Sequence, residues 1–179
     1  VRTLVVGVGN DDRGDDGLGP LAARLLAEAL ARAPGPASDG AGGQRTGPPP
    51  GVQIIPWTGD PLGLLDRWVG VDRLVLIDAV VSGAAPGTTR RFGPDAPFAR
   101  TAEASTHGLG LAEALALGRA LGRLPERIEV WGIEAVEFAA GAPLTPAVAE
   151  AVLALVARLG EELSGAMADA APSPAPHAG

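Results

Sequence analysis

The run Arg2-Thr3-Leu4-Val5-Val6-Gly7-Val8-Gly9, with the turn and helix pattern that follow it, constrains the chain more than any other feature. Aliphatic and β-branched residues fill it without polar alternation, so as a strand it needs cover on both faces, which is the condition of a parallel strand inside an α/β fold. A Gly-framed polar turn comes next. From Gly17 to Arg32 apolar residues then recur at Leu18, Leu21, Leu25, Leu26 and Leu30, the spacing of one helix face. A strand, a turn and a helix in that order make the first half of a βαβ unit.

The same alternation continues. Val52 to Ile55 reads as a short strand, Leu62 to Val69 as a short helix after the Asp60-Pro61 start, and Arg73 to Ala79 as a central buried strand. Pro86-Gly87 turns into Thr88 to Phe92, a short antiparallel or edge strand. Thr106 is placed to cap a helix from His107 to Gly122, Arg127 to Ile133 is a further strand, and Thr145-Pro146 opens an amphipathic helix ending at Leu163. The expected fold is α/β, a three-layer sandwich around a mostly parallel sheet of about five strands. Residues 1–164 form one domain, with Pro34 to Gly51 as a mobile Gly/Pro-rich insertion and residues 165–179 as a disordered tail.

Composition narrows the chemistry. With no Cys, thiol nucleophiles, thiolate metal sites and disulfides are excluded, and any metal must be met by carboxylate and imidazole. All fourteen basic residues are Arg, so a Walker-type lysine and a Schiff-base lysine are absent. A net charge of −7 opposes nucleic-acid binding, which depends on neutralised phosphates. No apolar run of about 18 residues and no leader pattern is visible, so a cytoplasmic protein without membrane or nucleic-acid partners is expected. Gly-x-Ser-x-Gly, Asp-Thr-Gly and His-Glu-x-x-His are all missing, which removes the serine elbow, the aspartic-protease signature and a helix-borne zinc site.

Ligands of open α/β sheets bind beyond the carboxyl ends of the strands, so the loops after Gly9, Ile55 and Asp78 are the places to search. The first holds four carboxylates within six residues: Asp11, Asp12, Asp15 and Asp16. A dinucleotide fingerprint fails there, because the third glycine position is Asp12 and the acids would repel a pyrophosphate. One of Asp15 and Asp16 suffices to cap the following helix. Four suggest that at least one faces a cation, with Gly17 and Gly19 letting backbone approach closely. His107, near a helix start, would be held neutral by the helix dipole and suits metal ligation, a structural role being the plain alternative. His177 lies in the Pro-rich tail. Asp78 closes the most hydrophobic strand, either bracing a loop or serving the site, and Asp60 reads first as the cap of the Pro61 helix.

Gly7-Val8-Gly9-Asn10 with Gly14-Asp15-Asp16-Gly17-Leu18-Gly19 resembles the N-terminal signature of the nickel–iron hydrogenase maturation endopeptidases. The likeness continues through Leu76-Ile77-Asp78-Ala79, Pro86-Gly87-Thr88, Thr106-His107-Gly108-Leu109-Gly110-Leu111, Gly132-Ile133-Glu134 and Leu144-Thr145-Pro146. It implies an α/β enzyme that removes the C-terminal extension of a hydrogenase large-subunit precursor after nickel insertion, with the nickel as recognition signal. The family's metal-binding acid of the first loop falls on Asp16 and its metal-binding histidine on His107. Its remaining acid, at the end of the second strand, falls on Pro56, and Asp60 is the nearby candidate to replace it as a metal ligand. Asp16 and Asp78 are the candidate catalytic carboxylates, and nickel, supplied by the precursor, is the implied metal. The competing reading is a non-proteolytic escort that senses a metal-loaded subunit without cutting it.

Overall fold

The computed structural model describes residues 1–33, 47–93 and 108–165 of the chain. Five strands form one sheet: β1 (Thr3–Val8), β2 (Val52–Trp57), β3 (Arg73–Val80), β4 (Thr89–Phe92) and β5 (Arg127–Glu134). Their spatial order is β2-β1-β3-β5-β4, with every neighbouring pair parallel except β4 against β5. Three helices flank it: α1 (Leu18–Arg32), α2 (Gly108–Ala120) and α3 (Pro146–Gly165). Two 3-10 helices, Gly14–Gly17 and Pro61–Asp66, complete the connections.

The apolar strands find the double cover that their sequences demand. On one face Val5, Val75, Ile77, Trp131 and Ile133 pack against Leu18, Ala22, Leu26 and Leu30 of α1 and Val148, Val152, Leu155 and Leu159 of α3. On the other, Leu4, Val6, Val8, Leu74, Leu76 and Val130 pack against Leu64, Leu65 and Trp68 and against Leu111, Ala114 and Leu115 of α2. β1 and β3 are buried along their whole length. Polar alternation is absent there because neither face meets water. The expected three-layer architecture and the antiparallel edge strand are therefore present.

Some expectations are corrected. The segment after Asp60 is a 3-10 helix over Pro61–Asp66 rather than a helix from Leu62 to Val69, six residues being too few to sustain α-helical propagation. Strand β2 runs on through Pro56 to Trp57, β3 to Val80 and β5 to Glu134. Residues 47–51, read as the end of the insertion, form a turn in which the Gly51 carbonyl accepts from the Thr3 N–H at 2.8 Å and the Pro49 carbonyl accepts from the Val52 N–H at 3.0 Å. The rest of the insertion (34–46), Thr106 and the tail (166–179, His177 included) lie outside the described residues.

At the amino ends of the strands, Arg73 bonds Glu129 through Nε at 3.0 Å and Glu162 of α3 through Nη2 at 2.5 Å. This pins β3, β5 and α3 together. At the carboxyl ends, α1 presses backbone against backbone on β1: a Cβ on Gly7 would stand 1.8 Å from the Gly19 carbonyl oxygen, and one on Gly19 would stand 2.2 Å from that of Val8. Gly19 is thus consumed by helix-to-strand packing rather than left to approach a cation. No helix among the described residues is long and apolar enough to cross a membrane.

Candidate functional site

The chain leaves β1, crosses to the outer strand β2, and returns to β3 on the other side of β1. The carboxyl ends of β1 and β3 therefore flank the point where connections diverge to opposite faces, α1 covering one and α2 the other. Such a switch point leaves a crevice at the strand ends. The acidic loop after β1 and the Asp78 end of β3 both border it.

The four acids of the first loop have different surroundings. Asp11 is half exposed and pairs with Arg24 of α1 at 2.7 Å, and the hydrogen bonds that Arg24 donates to Asp11 hold its guanidinium above its ordinary pKa. Asp12 is exposed, its N–H donating to Asn10 Oδ1 at 3.0 Å. Asp15 and Asp16 are buried in the 3-10 helix Gly14–Gly17. Neither caps α1, whose N-cap is Gly17 without a side-chain hydrogen bond. That overturns the capping expectation.

Asp15 reaches instead across the sheet end. Its Oδ2 accepts from the N–H groups of Val136 (3.0 Å) and Glu137 (3.1 Å) and from the Thr145 hydroxyl (3.2 Å), while Oδ1 accepts from the Thr145 N–H (2.7 Å). Its own N–H donates to the Glu137 carbonyl at 2.7 Å. A carboxylate that gathers four donors is a structural clamp, here tying the first loop to the exit of β5 and the start of α3. Thr145 precedes Pro146 at the helix start as expected, and its hydroxyl is directed to Asp15.

Asp16, 2% exposed, is held by backbone on both sides: its N–H donates to the Arg13 carbonyl at 3.1 Å and its carbonyl accepts from Asn10 at 3.2 Å. Gly9 permits this closure, since at φ 150° a Cβ there would stand 1.9 Å from the Asp16 carbonyl oxygen. Asp78 lies two residues before the end of β3 and is buried, with Oδ1 accepting from the Ala79 N–H at 2.8 Å. By strand alternation it shares the face of Leu74 and Leu76, on which α2 packs. His107, one position ahead of α2 in the sequence, lies outside the described residues.

The β2 end is built differently. Pro56 sits within the strand, exposed and paired with Gly7. Asp60 is exposed and its Oδ1 accepts from the Leu62 N–H at 2.9 Å, so it caps the Pro61 helix as the sequence suggests. The Asp60 carbonyl accepts from Trp57 Nε1 (3.1 Å) and from the Gly63 N–H (3.0 Å). Among the described residues no three His, Cys, Asp or Glu side chains converge as a ready metal site.

Sequence reasoning missed two buried carboxylates, Asp15 as a clamp and Glu134. At the end of β5, Glu134 takes the N–H groups of Ser82, Gly83 and Ala84 (2.7, 2.8 and 3.2 Å) and the Ser82 hydroxyl (2.7 Å), folding the loop after β3 onto the sheet. The signal for it was the one applied to Asp78, an acid at the carboxyl end of a buried strand. With Asp15, it fixes the loops that frame the crevice.

Comparison with known proteins gives one consistent picture. The family model described as hydrogenase maturation protease (HycI) matches residues 44–162. The hydrogenase expression/formation protein HupD of Thiocapsa roseopersicina is 33% identical over 137 residues, covering 75% of this chain and 55% of that protein, so the chain spans about half the length of this relative. Among solved structures, the [NiFe] hydrogenase maturation protease HybD from Thermococcus kodakarensis superposes with a TM-score of 0.62 at 28% identity, covering 91% of this chain and 99% of that one. The hydrogenase maturating endopeptidase HybD from E. coli gives 0.64 at 25% identity, covering 93% and 94%.

Proposed function

The chain belongs to the hydrogenase maturation protease family, and on that premise we propose that it is an endopeptidase that removes the C-terminal extension of a nickel–iron hydrogenase large-subunit precursor after nickel insertion. The observation that carries the reading is the position of Asp16, buried at the switch point in a loop that Asp15 clamps to the exit of β5 and the start of α3. Asp15 has both oxygens committed to backbone and hydroxyl donors, and Asp16 is its neighbour on the same short helix. The acid that the resemblance assigns to metal thus stands in a loop braced at the strand ends.

Nickel is part of the substrate in this reading. Held by the precursor, it would be met by the Asp16 carboxylate and the His107 imidazole, donors of the hard and borderline kind that a divalent nickel accepts. Asp78, oriented by the Ala79 N–H, would hold the attacking water against the scissile carbonyl, and the loops fixed by Asp15 and Glu134 would keep that geometry rigid. A cytoplasmic location, expected from the sequence, goes with this reading.

Mass spectrometry of a co-expressed large-subunit precursor, with and without nickel, tests it. We expect nickel-dependent shortening by the wild type and its loss in Asp16→Ala and His107→Ala. Normal processing by Asp16→Ala would overturn the assignment. One observation favours a second reading, a non-proteolytic escort: the strand-end acid of the family is replaced by Pro56, and its neighbour Asp60 is already engaged as a cap. A stable complex with an uncut precursor would select the escort.

A further inference from the structure

Val136 follows the carboxyl end of β5 by two residues and is 55% exposed. Apolar side chains on a surface are ordinary; this one is set apart by how it is held and by where it stands. Ala135 before it is buried, and its N–H donates to the Val80 carbonyl at 2.9 Å. The Val136 N–H donates to Asp15 Oδ2 at 3.0 Å. Glu137 after it is bonded to Asp15 through both backbone groups, its N–H to Oδ2 at 3.1 Å and its carbonyl to the Asp15 N–H at 2.7 Å. Three consecutive residues are fixed at the backbone, and a β-branched side chain adds little χ1 freedom of its own. The exposed isopropyl group is therefore held in one place.

That place adjoins the carboxyl-edge crevice. Asp15, whose carboxylate holds Val136, is the neighbour of Asp16 in the 3-10 helix Gly14–Gly17. On the other side, Gly132 of β5 pairs with Asp78 of β3, so Val136 lies one strand over and four residues past the level of Asp78. Four residues span at most about 14 Å and the strands are about 4.8 Å apart, which keeps the two Cα atoms within about 15 Å. Among the described residues one other exposed large apolar side chain closely follows a strand's carboxyl end, Leu62, and its N–H is tied to Asp60 rather than to the acidic loop.

A peptide bound for cleavage at the strand ends passes this group. Contact with a side chain already fixed costs little ordering, and covering it gains free energy with the apolar area removed from water. We propose that Val136 is a specificity-determining residue, which receives an aliphatic side chain of the precursor within about five residues of the scissile bond. The inference rests on the proteolytic reading and adds to it the chemistry of one residue that the substrate carries.

Kinetics on purified, nickel-loaded precursor test it. Val136→Ser is expected to raise KM about tenfold with kcat within about twofold, the mark of lost binding rather than lost chemistry, and Val136→Leu to stay near the wild type. Leu153→Ser, at a site 59% exposed on the outside of α3, is the control and should leave KM unchanged. In the precursor, serine at one aliphatic position within about five residues of the cut should raise KM by a similar factor and add nothing further in Val136→Ser. An unchanged KM in Val136→Ser, an equal rise in Leu153→Ser, or the absence of any such coupled position would overturn the proposal. If the wild type leaves the precursor uncut, the proteolytic reading fails and the affinity of the uncut complex becomes the measure. Weakening of about tenfold by Val136→Ser and none by Leu153→Ser would then uphold the contact, and equal affinities or no complex would overturn it.

Discussion

The two loops that leave the first two strands of the sheet are closed by opposite means. The loop after β1 is held from far away: Asp15 is bonded to residues 136, 137 and 145, and the Asp12 carbonyl accepts from the Gly141 N–H at 2.7 Å. The loop after β2 is held by its own residues, Trp57, Leu62 and Gly63 all converging on Asp60. The first carries Asp16, and the second carries Pro56 within the strand and Asp60 as a cap. A loop braced by distant elements cannot change without disturbing them, while a self-closed loop is free to vary.

If this contrast is right, removing the long-range clamp does the most damage. Asp15→Ala leaves four donors without their acceptor and should lower unfolding free energy by about 3–5 kcal/mol in urea denaturation. A loss under about 1 kcal/mol would erase the distinction between the loops. Glu134→Gln keeps one acceptor oxygen but gives up charge-assisted bonds to the loop after β3, and a loss of about 1.5–3 kcal/mol is expected in the same measurement. In the self-closed loop, Asp60→Ala removes a cap and should cost about 1 kcal/mol, with Asp60→Asn near wild type. Smallest of all, Pro56→Asp at an exposed position should change stability by no more than about 0.5 kcal/mol. Because it supplies the acid that the resemblance implies at this strand end, its effect on the proposed nickel-dependent processing is the sharper readout. A rise in rate would show that the β2 loop limits metal recognition, and no change would show that Asp60 or His107 suffices.

Much of the architecture could be read from the chain because the signals were local. Uninterrupted aliphatic runs marked β1 and β3 as doubly covered, Gly and Pro bounded the edge strand, and Thr145-Pro146 marked the start of α3. The first loop resisted for a physical reason. Asp15 and Asp16 are chemically identical neighbours, and what separates them is partners more than a hundred residues away. Local capping rules assign either to α1, and tertiary bonding takes Asp15 elsewhere while Gly17 stands at the cap. Gly19 shows the same limit: its freedom was legible, but not that β1 would consume it.

Pro56 has a second consequence, for the sheet as a template. The bonds Thr3 N–H to Gly51 and Gly9 N–H to Trp57 fix the odd-numbered residues of β2 toward β1, so residues 52, 54 and 56 point their backbone outward. The Val52 N–H is taken by Pro49, and Pro56 has none to offer. An approaching strand would find the single donor of Ile54. The far edge, β4, presents the exposed side chains of Arg90 and Arg91. One rim of the sheet is guarded by charge and the other by a missing proton, so neither invites the addition of a sixth strand from another molecule.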